Sequence, residues 1–539
     1  MTLTAAIRKS HGAFYTPSAV ATFLTHWAIR SPDDVVLDPS AGDGVFLTAA
    51  ATRLRAHGGS DRNHVIGVEM RAETCAATEA DLATRGFDVS LRQADFFSVA
   101  PADTGSVDAV IGNPPFIRYQ RFSGDIRKQA LLRAREAGVQ LSGLASSWAP
   151  FLVHAVQFIK PGGRLAVVAP GELAHAAYAQ PLIKYFCDQF RDVSLVTFDR
   201  RIFAHLGEDT VLLMCDGRGE TFSRFALARV PDVAALGETA SFDGSVVMDA
   251  PAVSRGAVRM SHYLLPAATR ALVERLQSHV SVRRLGDLAD VGIGYVTGAN
   301  DFFHLSKQEI KAAGLEPRVL KRAVRRGASF RGLRLTKADW CAQRDAGEKN
   351  SLLRLGTQTE LSPQVRRYVL KGKRAGVADA FKCRTRDPWY AVPHVHVGDA
   401  LLTYMSGTEP RMVANLANVV APNTLHVVRM KPGASLDGSQ LAAVWQSSIV
   451  KLSCELSGHS LGGGMLKLEP SEAQSLLIPL LKLDDSLVDN LDSEARKGHW
   501  SQVTDAIDTR LALALGLAPA DMILLKEGVD LLRARRTRR

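Results

Sequence analysis

The chain has 539 residues, 46% of them hydrophobic and 22% charged, with a mean hydropathy of −0.01. That describes a soluble chain long enough for two to four domains with ample core. Sixty-six Lys and Arg against 55 Asp and Glu leave a net charge of +11 and a pI near 9.4, so a polyanionic partner, most simply nucleic acid, leads the functional classes. Six scattered cysteines form no CxxC pair, which argues for reduced thiols and against a disulfide frame or zinc site. No apolar run has membrane-spanning length, and the first residues lack the apolar core of a signal peptide; a cytoplasmic protein with no membrane partner is expected.

In chain order, Phe14-Tyr15-Thr16-Pro17 precedes the first periodic segment, 18–30, which carries Val20, Phe23, Leu24 and Trp27 on one helical face. Then Val35-Val36-Leu37-Asp38 reads as a short buried strand ending in a carboxylate. It runs into the turn Pro39-Ser40-Ala41-Gly42-Asp43-Gly44 and a following helix. The glycines let backbone approach a ligand closely, in a strand–loop–helix nucleotide site that is not the GxGxxG fingerprint. Asp38 and Asp43 oppose a phosphate there and favour a ligand with positive or hydroxyl-bearing groups. S-adenosylmethionine has an ammonium, a sulfonium and a ribose diol, and no phosphate.

The second strand, Val65 to Glu69, ends in an acid placed to accept from ribose hydroxyls. A third acidic end follows at Asp95, suited to an adenine amine, with Phe96 expected to cover the ring. One acid after a strand is usually a helix cap; three in succession ask for more. The run Val107-Asp108-Ala109-Val110-Ile111-Gly112 then leads into Asn113-Pro114-Pro115-Phe116. Two prolines make a rigid corner. The Asn113 amide oxygen and the Pro114 carbonyl can together accept both hydrogens of an –NH2 group, and Phe116 offers a face on which a planar ring stacks. A flat heterocycle with an exocyclic amine fits such a site.

This succession of motifs resembles the S-adenosylmethionine-dependent N6-adenine DNA methyltransferases of restriction–modification systems, in the gamma motif order. The resemblance implies cofactor contacts from Tyr15, Thr16, Asp38, Ser40, Gly42, Asp43, Gly44, Glu69, Asp95, Phe96 and Asn113. It implies catalysis by Asn113, Pro114, Pro115 and Phe116 on an adenine flipped out of duplex DNA, with Phe116 and Phe203 stacking on the base. For Phe203 an ordinary core position is the competing reading. No metal is implied. Only about ten residues precede the first motif and no nuclease motif follows, which leaves room for a separate cognate endonuclease as partner and equally for a solitary regulatory methylase. N4-cytosine or RNA methylation, and a non-catalytic DNA-binding specificity subunit, are the rival readings.

Alternation of strands and helices predicts an α/β fold: a Rossmann-like methyltransferase domain over 1–216 with a mostly parallel sheet. Strands are expected at 161–170 and 193–198, with 210–214 able to pair antiparallel. The arginine-rich stretch 117–147 is either a basic loop closing over DNA or, over 127–135, a solvated helix. An irregular connector is expected over 217–261. An α+β target recognition domain is expected over 262–483, with short β-rich runs such as Trp389-Tyr390-Ala391-Val392. Basic clusters there, including Arg325, Arg326, Arg366, Arg367, Lys371, Lys373 and Arg374, suit DNA phosphates. The glycine-rich stretch 457–465 reads as a flexible loop able to enter a groove. The segment 484–539 reads as helical and closes in a basic tail, Arg533, Arg535, Arg536, Arg538 and Arg539, that either touches DNA or stays disordered.

Overall fold

The computed structural model describes residues 16–117, 121–141, 145–175, 179–198, 202, 210–237, 246–248, 260–357, 360–461 and 464–537. The chain divides into two compact units, Met1–Leu264 and Leu265–Arg539.

The first unit is built on a nine-stranded sheet. Its strands are β1 (Val36–Asp38), β2 (Val65–Glu69), β3 (Ser90–Gln93), β4 (Val107–Gly112), β5 (Ile159–Pro170), β6 (Phe190–Phe198), β7 (Thr210–Arg218), β8 (Arg224–Val230) and β9 (Val246–Met248). Their spatial order is 3-2-1-4-5-7-6-8-9. Strands β1 to β5 are parallel, while β7 lies antiparallel between β5 and β6. The helices include α1 (Ser18–Ala28), α2 (Val45–Ala56), α3 (Ala72–Thr84), α4 (Gly124–Glu136), α5 (Trp148–Val156) and α6 (Gln180–Gln189). Two apolar clusters follow from the strand pleat. Leu37, Val110, Leu165 and Leu213 pack with α5, whereas Val36, Ala109, Ile111 and Leu212 pack with α1 and α2. Every residue of β4 is buried, as expected of a central parallel strand covered on both faces.

Two expectations about this unit change. The stretch 217–261 is not simply a connector: β8 pairs parallel with β6, and β9 pairs antiparallel with β8, so both extend the first unit's sheet. The alternation Phe225, Leu227 is hidden among Arg and Ala residues, which weakens its strand signal. The stretch 127–135 lies within α4, whose Ala130 and Ala134 are buried against the core. That decides for a helix over a loop. Arg118 lies outside the described residues.

The second unit is α+β. A four-stranded antiparallel sheet in the order 11-18-15-17 joins β11 (Ala289–Ile293), β15 (Ala400–Thr403), β17 (Met412–Ala414) and β18 (Leu425–Met430). Small sheets join β10 (Val282–Arg284) to β21 (Leu477–Pro479), and β12 (His304–Leu305) to β14 (Ser351–Leu353) and β13 (Leu320–Arg322). A third joins β16 (Met405–Ser406), β20 (Met465–Lys467) and β19 (His459–Leu461). Helices α7 (Ala267–Gln277), α8 (Pro363–Arg374), α9 (Phe381–Arg384), α10 (Ser448–Ser457), α11 (Asp485–Arg496), α12 (Trp500–Leu515) and α13 (Pro519–Thr537) surround them.

Three expectations here also change. Trp389 to Val392 forms no strand; Trp389 instead packs its ring on Phe302 and Phe303. The stretch 457–465 is largely a hairpin, β19 against β20, and His459 is tied to Glu472 beyond its end. The basic tail is the end of α13, not a free segment. Arg536 is 5% exposed and forms a two-point ion pair with Glu455, at 2.8 Å through both Nε and Nη2. Arg533 pairs with Glu409 at 2.7 Å. The carboxylates that claim these arginines, buried Glu455 and half-buried Glu409, lie far away in sequence. Arg538 and Arg539 lie outside the described residues.

Candidate active site

The strand order reverses between β1 and β4, and ligands in such sheets bind in the crevice at the carboxyl ends of the strands flanking that point. Asp38, Glu69 and Asn113 stand at three such ends. Asp38 is 1% exposed. Its Oδ1 accepts from the Ser40 amide at 3.0 Å, while Oδ2 is buried with no hydrogen-bond partner among the described residues. Burial chiefly pushes the Asp38 carboxyl up to about 7, with the nearby Glu69 and Asp43 carboxylates adding to the effect and the Ser40 N–H opposing it. Burial also raises Asp43, against the Val45 amide.

Glu69 holds the loop. Its Oε2 accepts from the Gly42 amide at 3.1 Å, and its Oε1 accepts from the Arg71 amide at 3.0 Å and the Arg71 Nε at 3.4 Å. The Thr78 hydroxyl of α3 donates to the Gly42 carbonyl at 2.6 Å. Gly44 precedes α2 in the left-handed region, φ +77°, where a Cβ would come within 2.7 Å of the Thr78 methyl. At the end of β4, a Cβ on Gly112 (φ +144°) would stand 2.7 Å from Asp38 Oδ1. Glycine is therefore what brings the corner up against the carboxylate.

The Pro-Pro corner is braced from three sides. Ser40 donates its hydroxyl to the Asn113 carbonyl at 3.0 Å, which uses the Ser40 side chain inside the protein. The Asn113 Nδ2 donates to Thr16 Oγ1 at 3.1 Å, while Oδ1 is buried and has no partner among the described residues. Ser147 Oγ accepts from the Ile117 amide at 2.8 Å and donates to the Pro115 carbonyl at 2.5 Å; the Ser147 amide donates to the Ile117 carbonyl at 3.0 Å. The Pro114 carbonyl carries no such bond among the described residues. Phe116 is half-buried and packs against both apolar clusters. Ser147 was not singled out from the sequence; a serine just before the helix signal of α5 reads as a cap, and only the fold shows it reaching the corner.

Asp95 uses one oxygen as a cap, accepting from the Phe97 amide at 3.1 Å. The Phe96 ring belongs to the core. It is 3% exposed and packs on His154, Phe151 and Phe158, with centroids at 4.7, 4.8 and 5.1 Å. The expectation that it covers a heterocycle gives way, because the ring is itself part of the core, where burying a phenyl group is worth about 1.5–3 kcal/mol. Tyr15 and Phe203 lie outside the described residues. Of the residues proposed for DNA, Arg366, Arg367, Lys371, Lys373 and Arg374 share the exposed side of α8, and Arg326 is exposed. Arg325 is half-buried and lies 3.9 Å from Asp301.

The carboxyl ends of β1 and β4 thus carry a buried carboxylate oxygen, Asp38 Oδ2, and a buried amide oxygen, Asn113 Oδ1, neither with a hydrogen-bond partner among the described residues. A ligand carrying ammonium, sulfonium and ribose hydroxyls satisfies these atoms, and a phosphate does not. Fold and site together define an S-adenosylmethionine-dependent methyltransferase. The N-6 DNA Methylase family matches residues 2–220, and the Type II methyltransferase M.Eco57I C-terminal domain family matches residues 257–512. Across these two stretches the chain is similar to the N6-adenine DNA methyltransferases of restriction–modification type. It is similar to the Type II methyltransferase M.XamI of Xanthomonas campestris pv. amaranthicola, at 24% identity over 87% of this chain and 85% of that protein. It is likewise similar to M.PaeR7I of Pseudomonas aeruginosa, at 23% identity over 87% and 86%. The structure of the type IIL restriction–modification enzyme MmeI in complex with DNA shares the fold, with TM-score 0.54 and 11% identity over 98% of this chain and 80% of MmeI.

Proposed function

We propose that the protein methylates N6 of adenine in a specific duplex DNA sequence, as the modification enzyme of a restriction–modification pair whose endonuclease is a separate protein. The observation that carries this reading is the buried, unpartnered Oδ1 of Asn113, whose amide nitrogen is already committed to Thr16. It leaves one orientation open to a ligand: an acceptor facing an –NH2 group. S-adenosylmethionine, when bound, supplies an electrophilic methyl group on a good leaving group.

The chain's own residues do the rest. Adenine N6 is a poor nucleophile because its lone pair is delocalised into the ring. Asn113 Oδ1 and the Pro114 carbonyl accept the two N6 hydrogens, favour rehybridisation toward sp3 and aim the lone pair. Phe116 stacks on the extruded base, an interaction worth about 1–3 kcal/mol. Asp38, Glu69 and Asp95 receive the cationic and hydroxyl-bearing groups and the amine of the cofactor, and Gly42 and Gly44 let it approach. Orientation supplies most of the rate; no nucleophilic cysteine is required, and the described cysteines are buried except the half-buried Cys341. The basic second unit binds the duplex.

The test is transfer of labelled methyl groups to mixed-sequence duplex DNA, followed by nucleoside mass spectrometry. N6-methyladenine at a discrete set of sites is expected. N4-methylcytosine, or label on RNA alone, overturns the choice of base or substrate.

A further inference from the structure

Between residues 363 and 386 the sequence places eight basic residues against a single acid, Asp379. Elsewhere in the second unit, exposed or half-exposed cations are commonly neutralised by the protein itself: Arg496 by Asp339 and Asp492, Lys526 by Asp505, Lys307 by Asp345 and Arg533 by Glu409. Arg366, Arg367, Lys371, Lys373 and Arg374 of α8 have no carboxylate partner among the described residues, and neither do Lys382 and Arg384 of α9.

This stretch is rigidly seated. Val365, Val369 and Gly372 form the buried side of α8, and a Cβ on Gly372 would come within 2.4 Å of the Phe302 ring, so the glycine lets the helix lie flat on it. Phe302 also stacks on Tyr368 at 4.8 Å. Arg386, half-buried, spends its guanidinium on two main-chain carbonyls, those of Val296 and Thr297, at 2.5 and 2.8 Å. Cys383 donates to the same Thr297 carbonyl at 3.6 Å.

On this fixed base stands an anomaly. Phe381 is 63% exposed, the one exposed phenylalanine among the described residues, and Leu370 beside the cations of α8 is 47% exposed. Two cations lie against the phenyl ring, Lys382 Nζ at 5.6 Å and the Arg384 guanidinium at 5.3 Å from its centroid. A merely solubilising face has no use for an erect phenyl group. Unneutralised cations flanking an apolar probe match a duplex, whose phosphates border a stack into which apolar side chains can insert.

We infer that α8 and α9 form a duplex-docking surface in which the cations contact phosphates and Phe381 acts as a wedge against the base stack. This rests on the DNA-methylating reading above and adds a specific face and side chain to it. Insertion partly unstacks a base step and unwinds the helix. A wedge of this kind lowers the energy needed to distort the duplex, whichever residues read its sequence.

The test uses the full chain with linear duplex DNA over a range of salt concentrations, and with closed circular plasmid relaxed by topoisomerase. Arg366→Gln/Arg367→Gln/Lys371→Gln should flatten the log–log salt dependence by about 0.9 for each phosphate contact removed. Phe381→Ala should keep that slope, weaken binding about tenfold and abolish the change in linking number that the native protein imposes; Phe381→Trp should restore it. Calorimetric titration with S-adenosylmethionine and the thermal midpoint report whether each variant is folded. An unchanged slope in the triple variant removes this face from DNA and assigns it to another acidic partner. Absence of unwinding by the native protein, or equal unwinding by Phe381→Ala, removes the wedge. Methylation that persists alongside either result leaves the enzymatic reading standing, whereas a native protein that methylates no duplex fails that reading instead.

Discussion

Asn113 and Thr16, ninety-seven residues apart, are joined by a hydrogen bond of 3.1 Å from the asparagine amide to the threonine hydroxyl. The bond fixes which way the amide points. With Nδ2 occupied, Oδ1 is the atom left over, buried and unpartnered among the described residues. Thr16, just before the first helix, therefore braces the Pro-Pro corner directly and is more than a helix entry.

Asn113→Ala should retain S-adenosylmethionine binding and lose methyl transfer by a factor on the order of 10²–10³, the scale seen when one preorganised polar contact to a reacting group is removed. Thr16→Val should act in the same direction but more weakly, by about five- to tenfold, because it costs one hydrogen bond worth about 1 kcal/mol and frees the amide to rotate. Single-turnover methylation measures both, and calorimetry supplies the control. Unchanged turnover in Asn113→Ala removes that residue from the chemistry.

Ser147 should matter to the corner although it touches no substrate. It joins Pro115 and Ile117 through three hydrogen bonds. Ser147→Ala removes two of them and leaves a carbonyl and an amide near the site in search of water, at a cost of about 1–3 kcal/mol. The expected result is a fall of about tenfold in the single-turnover rate with a smaller change in cofactor affinity. Equal losses in both would mean that the brace serves the whole pocket.

Asp38 sets a pH dependence whose sign follows from its environment. Burial and two neighbouring carboxylates raise it to about 7. A cationic ligand favours the ionised form, so the value falls on binding and a proton is released. Affinity should therefore climb as pH rises toward about 7 and level off above it; below that range, binding must also remove the proton. Asp38→Asn should flatten the profile and weaken binding at pH 8. It should also make the ligand-free protein more stable there, since the native protein then carries a buried charge that the variant lacks. Calorimetric titration in buffers of different ionisation enthalpy counts the proton, and thermal melts of the free protein measure the stability change.

The parts of the site that could be read in advance were those whose chemistry is local. A carboxylate at a strand end, two glycines in a turn and a proline-stiffened corner announce themselves wherever they sit, and Asp38, Glu69 and Asn113 stand together because a parallel sheet gathers its carboxyl ends. Contacts set by tertiary neighbours were not legible. Nothing local distinguishes Phe96 in a core from Phe96 over a ring, or Ser147 as a cap from Ser147 as a brace. Strand β8 was missed because its pairing with β6 outweighs a weak alternation. The arginine-rich carboxyl end looked like a polyanion-binding tail because the glutamates that neutralise it, Glu409 and Glu455, lie elsewhere in the chain.

That last pairing makes its own prediction. Arg536 and Glu455 are both almost fully buried, and the Arg536 guanidinium also donates to the carbonyls of Gly407, Thr408 and Gly464. It thus fastens α13 to α10, to the turn after β16 and to the β19–β20 hairpin. Arg536→Met leaves Glu455 buried beside the more distant Arg533, 3.8 Å away. Breaking a buried pair by removing one partner typically costs about 3–5 kcal/mol, so the thermal midpoint should drop by several degrees. A double variant, Arg536→Met with Glu455→Leu, removes both charges and should recover much of the loss. If Arg536 instead acts as a free cation on DNA, Arg536→Met should leave stability intact and lower the salt dependence of duplex binding. Thermal melts and salt titrations on the same three proteins separate the two cases.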